Sequence, residues 1–347
     1  FRPHKIKRHI DFETRLKLEE YKLDLPGILF EEFPARNYPN DANLTHVLGY
    51  LRTISEESTK SQNNDYKLGD IYGFSGVEKV YESLLRGKDG TEYHLLDIYG
   101  VDHGIVLETP PISSIPGEEL NLTIDSKLQF YIENLFRGKQ GAVICMDPLS
   151  GNILAYLSSP DYDLNSFVGP VPRNIWDAWN QDTRHPLLNR VIQGLYPPGS
   201  TMKLIAAALT LEQGKISKKW IVNCSGAYTL GDRTFHCWNT KGHGKVNMRQ
   251  AIIHSCNIYF YQLIRKLSFE DWKKMAENFG YGTVSGIDQY GEKEGNIPGT
   301  EYMNKKYGRI IHFNKHFNRY SHYRDTSIYY SCLYHIFREK NYWFHAV

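Results

Sequence analysis

The sequence predicts an α+β protein, in which a glycine-punctuated first third is followed by a compact α/β unit. Three observations predict it. Two apolar runs, Ala142–Met146 and Ile153–Leu157, flank Asp147-Pro-Leu-Ser-Gly-Asn152, a hairpin signal. Asp125 stands before Leu128, Ile132 and Leu135, an N-cap ahead of apolar residues at helical spacing. Tyr196-Pro-Pro-Gly-Ser-Thr-Met-Lys203 leads into an Ala- and Leu-rich run closed by Gly214. Pro before such a run and Gly after it mark a helix of about three to four turns.

From the N-terminus, His4–Leu25 leans towards helix, and Lys5, Lys7, Arg8 and His9 read as a solvated charged face. Turn residues follow at Pro26-Gly27, Gly73-Phe-Ser-Gly76 and Leu85-Arg-Gly-Lys-Asp-Gly90. Pro110, Pro111, Pro116 and Gly117 read as a linker, which bounds a first domain at 1–118. A second domain, 119–308, opens with a short strand at Leu122-Thr-Ile124. The acids of Asp161-Tyr-Asp-Leu-Asn-Ser-Phe167 read as caps and turns, while Trp176, Trp179 and Trp238 suit either a core or a peptide groove. Residues 309–347 hold no Gly and no Pro, are crowded with Tyr, His and Phe, and keep no period. They read as an aberrant, out-of-frame tail.

Composition narrows the function. A net charge of +2 gives no sign of a nucleic-acid surface, and 23% charged residues argue against wholesale disorder. No apolar run reaches the roughly 18 residues that a membrane helix needs. The chain begins at Phe1 without a visible signal peptide, so the expectation is a soluble protein or a missing N-terminal segment.

Ser200 stands at the first turn of its helix, where unpaired N–H groups and the macrodipole favour negative charge. Lys203 follows three residues on and shares that face. A lysine buried by the following apolar run can take the serine proton, which makes Ser200 a candidate nucleophile and Lys203 its base. The bland alternative is a surface serine and lysine on an ordinary helix. Downstream, Ser255-x-Asn257 offers a second hydroxyl to relay the proton and an amide to hold the substrate backbone and the lysine. The pattern is weak by itself, because Ser61-Gln-Asn63 and Ser150-Gly-Asn152 also match it, but only the one at 255 follows Ser200 at a domain-like distance and leads into an aromatic helix.

Cys224, Cys237, His243 and Cys256 are separated by 12, 5 and 12 residues in a Gly-rich stretch. Three thiolates and an imidazole suit a closed tetrahedral zinc site, with His236 as a neighbouring candidate ligand. A disulfide among these thiols, or plainly buried cysteines, are the alternatives. Cys145 reads as strand packing, and Cys332, in the tail, has no reading.

Ser-x-x-Lys with Ser-x-Asn is part of the signature of penicillin-binding proteins and serine β-lactamases. From about residue 26 to 308 the chain resembles the class B penicillin-binding proteins. Arg36-Asn-Tyr-Pro39, His46-Val-Leu-Gly-Tyr50 and Gly73-Phe-Ser-Gly-Val-Glu-Lys79 are similar to their pedestal. Asn121-Leu-Thr-Ile-Asp125, Asp147-Pro-Leu-Ser-Gly-Asn-Ile-Leu-Ala155 and the Ser200 motif are similar to their transpeptidase domain, as are Phe279-Gly-Tyr-Gly282, Gly286-Ile-Asp288 and Gly295-Asn-Ile-Pro298. The nearest subgroup is the elongation-specific D,D-transpeptidase, penicillin-binding protein two.

The resemblance implies a partial pedestal (dimerisation-like) domain, then a serine β-lactamase/transpeptidase-like α/β domain lacking its C-terminal part. It implies an enzyme that attacks the D-Ala-D-Ala end of a stem peptide, forms an acyl-enzyme and is acylated by β-lactams. Ser200, Lys203, Ser255 and Asn257 are then catalytic, and Cys224, Cys237, His243 and Cys256 fit the zinc site that some elongation transpeptidases carry. The implied partners are the elongation-complex polymerase and a scaffold bound through the pedestal. The implied location is the periplasmic face of the inner membrane. Two departures stand out. The membrane helix of the family is absent, and no Lys-Thr-Gly or Lys-Ser-Gly occurs. The expectation is a chain truncated at both ends, and the alternatives are an inactive fragment that keeps only pedestal interactions or a serine β-lactamase-like protein.

Overall fold

Frequent turn residues keep the elements short. The computed structural model describes residues 6–301 apart from 8–9, 26, 29, 31–34, 40–41, 55–65, 68, 99–101, 107, 169–170, 215, 231–232, 298 and 300. The 309–347 tail with Cys332, and also Lys5, Arg8 and His9, lie outside the described residues. The described chain divides into two compact units. Unit 1 is Phe1–Val191 with Asp288–Tyr290, and unit 2 takes the described residues of Ile192–Ile287 and those from Gly291 on.

In unit 1, Asp11 caps α1 (Phe12–Glu20), a solvated helix with no buried residue. Next come α2 (Thr45–Leu48), β1 (Leu51–Thr53), β2 (Ile71–Gly73), α3 (Gly76–Val80) and α4 (Glu82–Leu85). β1 and β2 pair antiparallel, Leu51 opposite Gly73. The three pedestal-like motifs meet here. Arg36 donates twice to the buried Glu78 carboxylate, at 2.7 and 2.9 Å, and the Tyr38 hydroxyl adds a third bond at 3.3 Å. The Tyr50 ring lies against Phe167 and Phe74, with centroids at 3.9 and 5.3 Å.

β3 (His94–Leu96) and β4 (Asp102–Ile105) form a second antiparallel pair. The expected linker is a correction: Ile112 pairs with Thr91 and Ile115 with Lys88. Its prolines lack N–H donors, so pairing stops at isolated bridges and never becomes a ladder. Leu122–Ile124 is not a strand either. Its neighbourhood is tied down by Asp125 N–H to the Leu154 carbonyl and by the Thr123 hydroxyl to the Ile153 carbonyl, at 2.9 and 2.7 Å.

Asp125 does cap α5 (Ser126–Phe136), accepting from the N–H groups of Lys127 and Leu128. The hairpin is β5 (Gly141–Met146) and β6 (Ile153–Ser159), with Val143 opposite Leu157. α5 lays Ile132 on Ala155 and Leu157 of β6, with half-buried Cys145 packed beside them. Asp163 caps a 3-10 turn, Leu164–Phe167, as its acidic segment suggested, and α6 (Arg173–Gln181) follows. Trp176 and Trp179 pack on the aromatic core of Tyr38, Tyr50, Tyr162, Leu164 and Phe167, so they are core residues.

In unit 2, a 3-10 turn, Gly199–Thr201, runs into α7 (Met202–Gln213), which Gly214 ends in the left-handed conformation. β7 (Val222–Cys224), β8 (Ala227–Leu230), β9 (Arg233–His236) and β10 (Gly244–Val246) follow. β7 pairs with β10 and β8 with β9, both antiparallel. α8 (Met248–Ile253) begins with a capping box of Asn247 and Gln250, and α9 (Asn257–Ile264) and α10 (Phe269–Asn278) complete the unit. α9 is apolar nearly all round because it is the centre of this core. Ile258, Tyr259, Phe260 and Leu263 are fully buried against Ile205 and Ala206 of α7 and Trp272 of α10. Burial of each such large side chain is worth roughly 1.5–3 kcal/mol. No described helix is long and apolar enough to cross a membrane.

Candidate active site

The turn that presents Ser200 requires glycine before it. Gly199 is buried with φ of +59°, a conformation that a side chain strains. The Thr201 hydroxyl donates to the Pro198 carbonyl at 2.7 Å and closes the turn. Ser200 stays half-exposed, while Lys203, in the first turn of α7, is only 3% exposed. Lys203 Nζ lies 2.9 Å from Ser200 Oγ, so the expected pair is brought together.

The second pattern lies between two helices. It leads into an aromatic helix as its sequence suggests: α8 stops at Ile253 and α9 starts at Asn257. Ser255 between them has φ of +47°, and Cys256 is extended, its N–H bonded to the Ala251 carbonyl at 2.8 Å. This turn aims three oxygens at one point. Lys203 Nζ is 2.9 Å from the Ser255 carbonyl, 2.8 Å from Ser255 Oγ and 2.6 Å from Asn257 Oδ1. Ser255 Oγ also stands 3.1 Å from Ser200 Oγ, and Asn257 Nδ2 donates to the His236 carbonyl at 3.4 Å. The competing match at Ser150 does not converge on the lysine. Ser150 bonds Asp147 in the hairpin turn, and 61–63 lie outside the described residues.

The four neighbours of Nζ fall into two kinds. The Ser255 carbonyl and Asn257 Oδ1 can only accept, whereas the two serine hydroxyls can also donate. A neutral amine has two N–H bonds and one lone pair. It therefore satisfies both acceptors and turns its lone pair to a hydroxyl, the arrangement in which Lys203 can receive the Ser200 proton.

On the other side of the same turn stand the cysteines. The Sγ atoms of Cys224, Cys237 and Cys256 and a ring nitrogen of His243 all lie within 4.8 Å of one another. His243 Nδ1 is 3.6 Å from Cys224 Sγ and 3.5 Å from Cys237 Sγ. Metal–sulfur bonds of about 2.3 Å and metal–nitrogen bonds of about 2.0–2.1 Å at tetrahedral angles would put S and N about 3.5–3.6 Å apart, so the donor set fits zinc. Cys224, Cys237 and Cys256 are free thiols. The hydrogen bond between Cys256 and Cys237 pulls the Cys237 thiol below its ordinary range and pushes that of Cys256 up. Gly242, with φ of +80°, lets this loop close, since a Cβ there would collide with the Cys224 carbonyl. His236 is exposed and stands outside the cluster, contributing only its carbonyl to Asn257.

Sequence reasoning missed His254. Its ring stacks on His243 at 5.6 Å, and its carbonyl accepts from Trp238 Nε1 at 2.9 Å. A lone histidine beside Ser-x-Asn carries no pattern that could have singled it out. Trp238 itself is 56% exposed, so it is not a core residue.

Two family models match the chain: the penicillin-binding protein dimerisation domain over residues 1–122 and the penicillin binding protein transpeptidase domain over residues 141–312. The chain belongs to the penicillin-binding proteins. Its fold is theirs, a dimerisation domain followed by a transpeptidase domain with mixed helix and strand. Among curated penicillin-binding proteins, it is 33% identical to the peptidoglycan D,D-transpeptidase MrdA of Escherichia coli K12 over 301 residues, covering 85% of this chain and 47% of that protein. It is 30% identical to penicillin-binding protein 3 of Bacillus subtilis over 270 residues, 76% of this chain and 39% of that one. The chain thus spans about half the length, or less, of these relatives. Among solved structures, the complex between penicillin-binding protein PBP2 and MreC from Helicobacter pylori matches with a TM-score of 0.78 and 30% identity, over 88% of this chain and 57% of that one. A structure described as the coordination of polymerization and crosslinking by a peptidoglycan synthase complex matches with a TM-score of 0.66 and 26% identity, over 85% of this chain and 53% of that one. The elongation-type resemblance read from the sequence agrees with these relatives.

Proposed function

We propose that this chain carries the acylating centre of a peptidoglycan D,D-transpeptidase. The observation that carries this reading is the single nitrogen of Lys203 within 2.9 Å of Ser200 Oγ, Ser255 Oγ and Asn257 Oδ1. Ser200 Oγ attacks the carbonyl carbon of the penultimate D-alanine as its proton passes to Lys203 Nζ. The C–N bond to the terminal D-alanine then breaks, and the departing nitrogen takes a proton from Lys203 through the Ser255 hydroxyl. The acyl-enzyme that remains is opened by the amine of a neighbouring stem peptide, which gives its proton back along the same route. Asn257 holds Lys203 in place through Oδ1. A β-lactam presents the same carbonyl chemistry and leaves Ser200 acylated.

Cys224, Cys237, His243 and Cys256 would hold one zinc. A closed tetrahedral zinc supplies structure and no open coordination position. Through Cys256 it would fix the turn between Ser255 and Asn257. Zinc analysis of freshly purified protein tests this: about one equivalent is expected, and zinc-free protein with a mapped disulfide among these thiols rules it out.

The partners we propose are a scaffold and a polymerase of cell-wall elongation, docked on the dimerisation-domain motifs, at the periplasmic face of the inner membrane. The support is the likeness to PBP2 in complex with MreC and to a peptidoglycan synthase complex. The sequence feature against catalysis is the absence of Lys-Thr-Gly and Lys-Ser-Gly from these 347 residues. It favours a second reading, a chain that folds without acylating. A fluorescent penicillin separates the two. Covalent label on the unaltered chain and none on Ser200→Ala is expected, whereas equal label on both, or none on either, overturns the assignment.

A further inference from the structure

A cavity of about 260 Å³ opens in unit 1 among the end of α5, the loop after it and the end of β6. It is smaller than the roughly 300–1,000 Å³ of pockets for drug-sized ligands, so it suits a compact molecule. Its lining carries charge of both signs: Glu133 and Asp161, with Arg137, Lys139 and Arg184.

These charges do not neutralise one another. Glu133 accepts from Asn43 N–H at 3.0 Å, Leu44 N–H at 3.2 Å and Gln129 Nε2 at 2.8 Å, and Asp161 accepts from Asn43 Nδ2 at 3.0 Å. All these donors are neutral amides. Arg184 is spent on Asp182, with Nε and Nη2 at 3.0 and 2.8 Å. Among the described residues no carboxylate forms an ion pair with Arg137 or Lys139; the Lys139 ammonium rests 5.8 Å from the Phe136 ring centroid. Burial holds the Asp161 carboxyl above its ordinary range, and the charge of Glu133 adds to that. Two acids without a cation and two cations without an acid therefore share one small cavity. Arg137 and Lys139 are exposed at the rim while Glu133 and Asp161 are half-buried, and a ligand that carries both an ammonium and a carboxylate can meet both sets, whereas a plain anion or cation leaves one set unmatched.

We propose that this cavity binds a free α-amino-acid group, its ammonium held by Glu133 and Asp161 and its carboxylate by Arg137 and Lys139. The inference is independent of the Ser200 reading, because none of these residues touches the Lys203 cluster. One source of such a group is the free D-alanine that the proposed acylation step would release. The other is the amino-acid end of a diamino acid within a stem peptide.

Calorimetric titration of the full chain tests it with D-alanine, N-acetyl-D-alanine, D-alanine amide and meso-diaminopimelate as probes. D-alanine or diaminopimelate should bind saturably, and removing either charge should weaken binding by at least about tenfold, the scale of one charge-assisted bond. Diaminopimelate binding more tightly than D-alanine assigns the stem-peptide source, and the reverse assigns the free amino acid. Asp161→Asn should weaken D-alanine about tenfold, leave N-acetyl-D-alanine unchanged and leave penicillin labelling of Ser200 intact. No saturable binding of either zwitterion overturns the proposal. So does N-acetyl-D-alanine binding as tightly as D-alanine, an outcome read on the unaltered chain even if the variant misfolds.

Discussion

Two nitrogen bases are buried to nearly the same degree in the two units, and their surroundings are opposite. Lys203 in unit 2 is 3% exposed and has four oxygens within 2.9 Å. His46 in unit 1 is 8% exposed, its Nε2 has no hydrogen-bond partner, and its ring meets the edge of Tyr162 at 5.5 Å. Burial, with the charge of Arg190 added, holds His46 neutral, at about 4, and its ring meets only the Pro186 carbonyl, which cannot give a proton. Lys203 has two hydroxyls in line to give and take one. The difference teaches that a buried base becomes a proton carrier through partners that can both donate and accept. His243 is a third case, its Nδ1 facing thiols that a cation would satisfy.

The sharpest way to break the comparison is at Lys203. Lys203→Met should slow acylation by penicillin about 10²- to 10⁴-fold, the usual contribution of a positioned general base. Lys203→Arg should fail equally, because a guanidinium never deprotonates and has no lone pair for the Ser200 proton. Stopped-flow acylation rates measure both. A rate restored by arginine would mean that Lys203 serves only as a positive charge.

The next effect concerns His243 and its thiols. If zinc satisfies them, chelation should lower the unfolding midpoint of unit 2, and restoring zinc at about 100 times its dissociation constant should return roughly 2.7 kcal/mol. Penicillin labelling should fall in step, since Cys256 sits between Ser255 and Asn257. A midpoint unmoved by chelator, in protein proven to be zinc-free, would place His243 with His46 as a merely buried ring.

How much of this was legible in sequence follows from which interactions are local. Ser200 and Lys203 are three residues apart on one helix, so their meeting at 2.9 Å is fixed by helical geometry and could be read directly. The Asp125 cap and the β5–β6 hairpin are local in the same sense. Ser255-x-Asn257 was one of three matches, set apart in sequence by its domain-like distance after Ser200 and by the aromatic helix it leads into. What aims it at Lys203 is a left-handed residue at 255, a backbone conformation that nothing in Ile252–Tyr261 announces. The 110–117 segment misled because prolines signal a linker locally, while its bridges to Lys88 and Thr91 depend on chain folded back from more than 20 residues away. His46 was seen only as part of a motif. That it is buried depends on Tyr162, more than 100 residues further on.

The smallest of the three effects tests the other side of the comparison, the base with no proton-exchanging partner. His46 is held at about 4 in the folded chain, against an ordinary value of 6.5. Burial is the main cause, the charge of Arg190 adds to it, and the Pro186 carbonyl offsets it only in part. Between these values the unfolded chain binds a proton that the folded chain refuses. The stability that neutral His46 contributes is therefore complete above pH 6.5 and is lost progressively as the pH falls through about 4. Between pH 7 and pH 4.5 the loss amounts to about 2 kcal/mol. His46→Phe keeps a ring in the same aromatic surroundings and removes the titration. Urea midpoints of both proteins at pH 7 and pH 4.5 measure it: the unaltered chain should lose most of this stability, and the variant should lose less by that amount. Equal losses would mean that His46 is protonated in the folded state. It would then have a partner that its buried ring does not show, and the contrast with Lys203 would collapse.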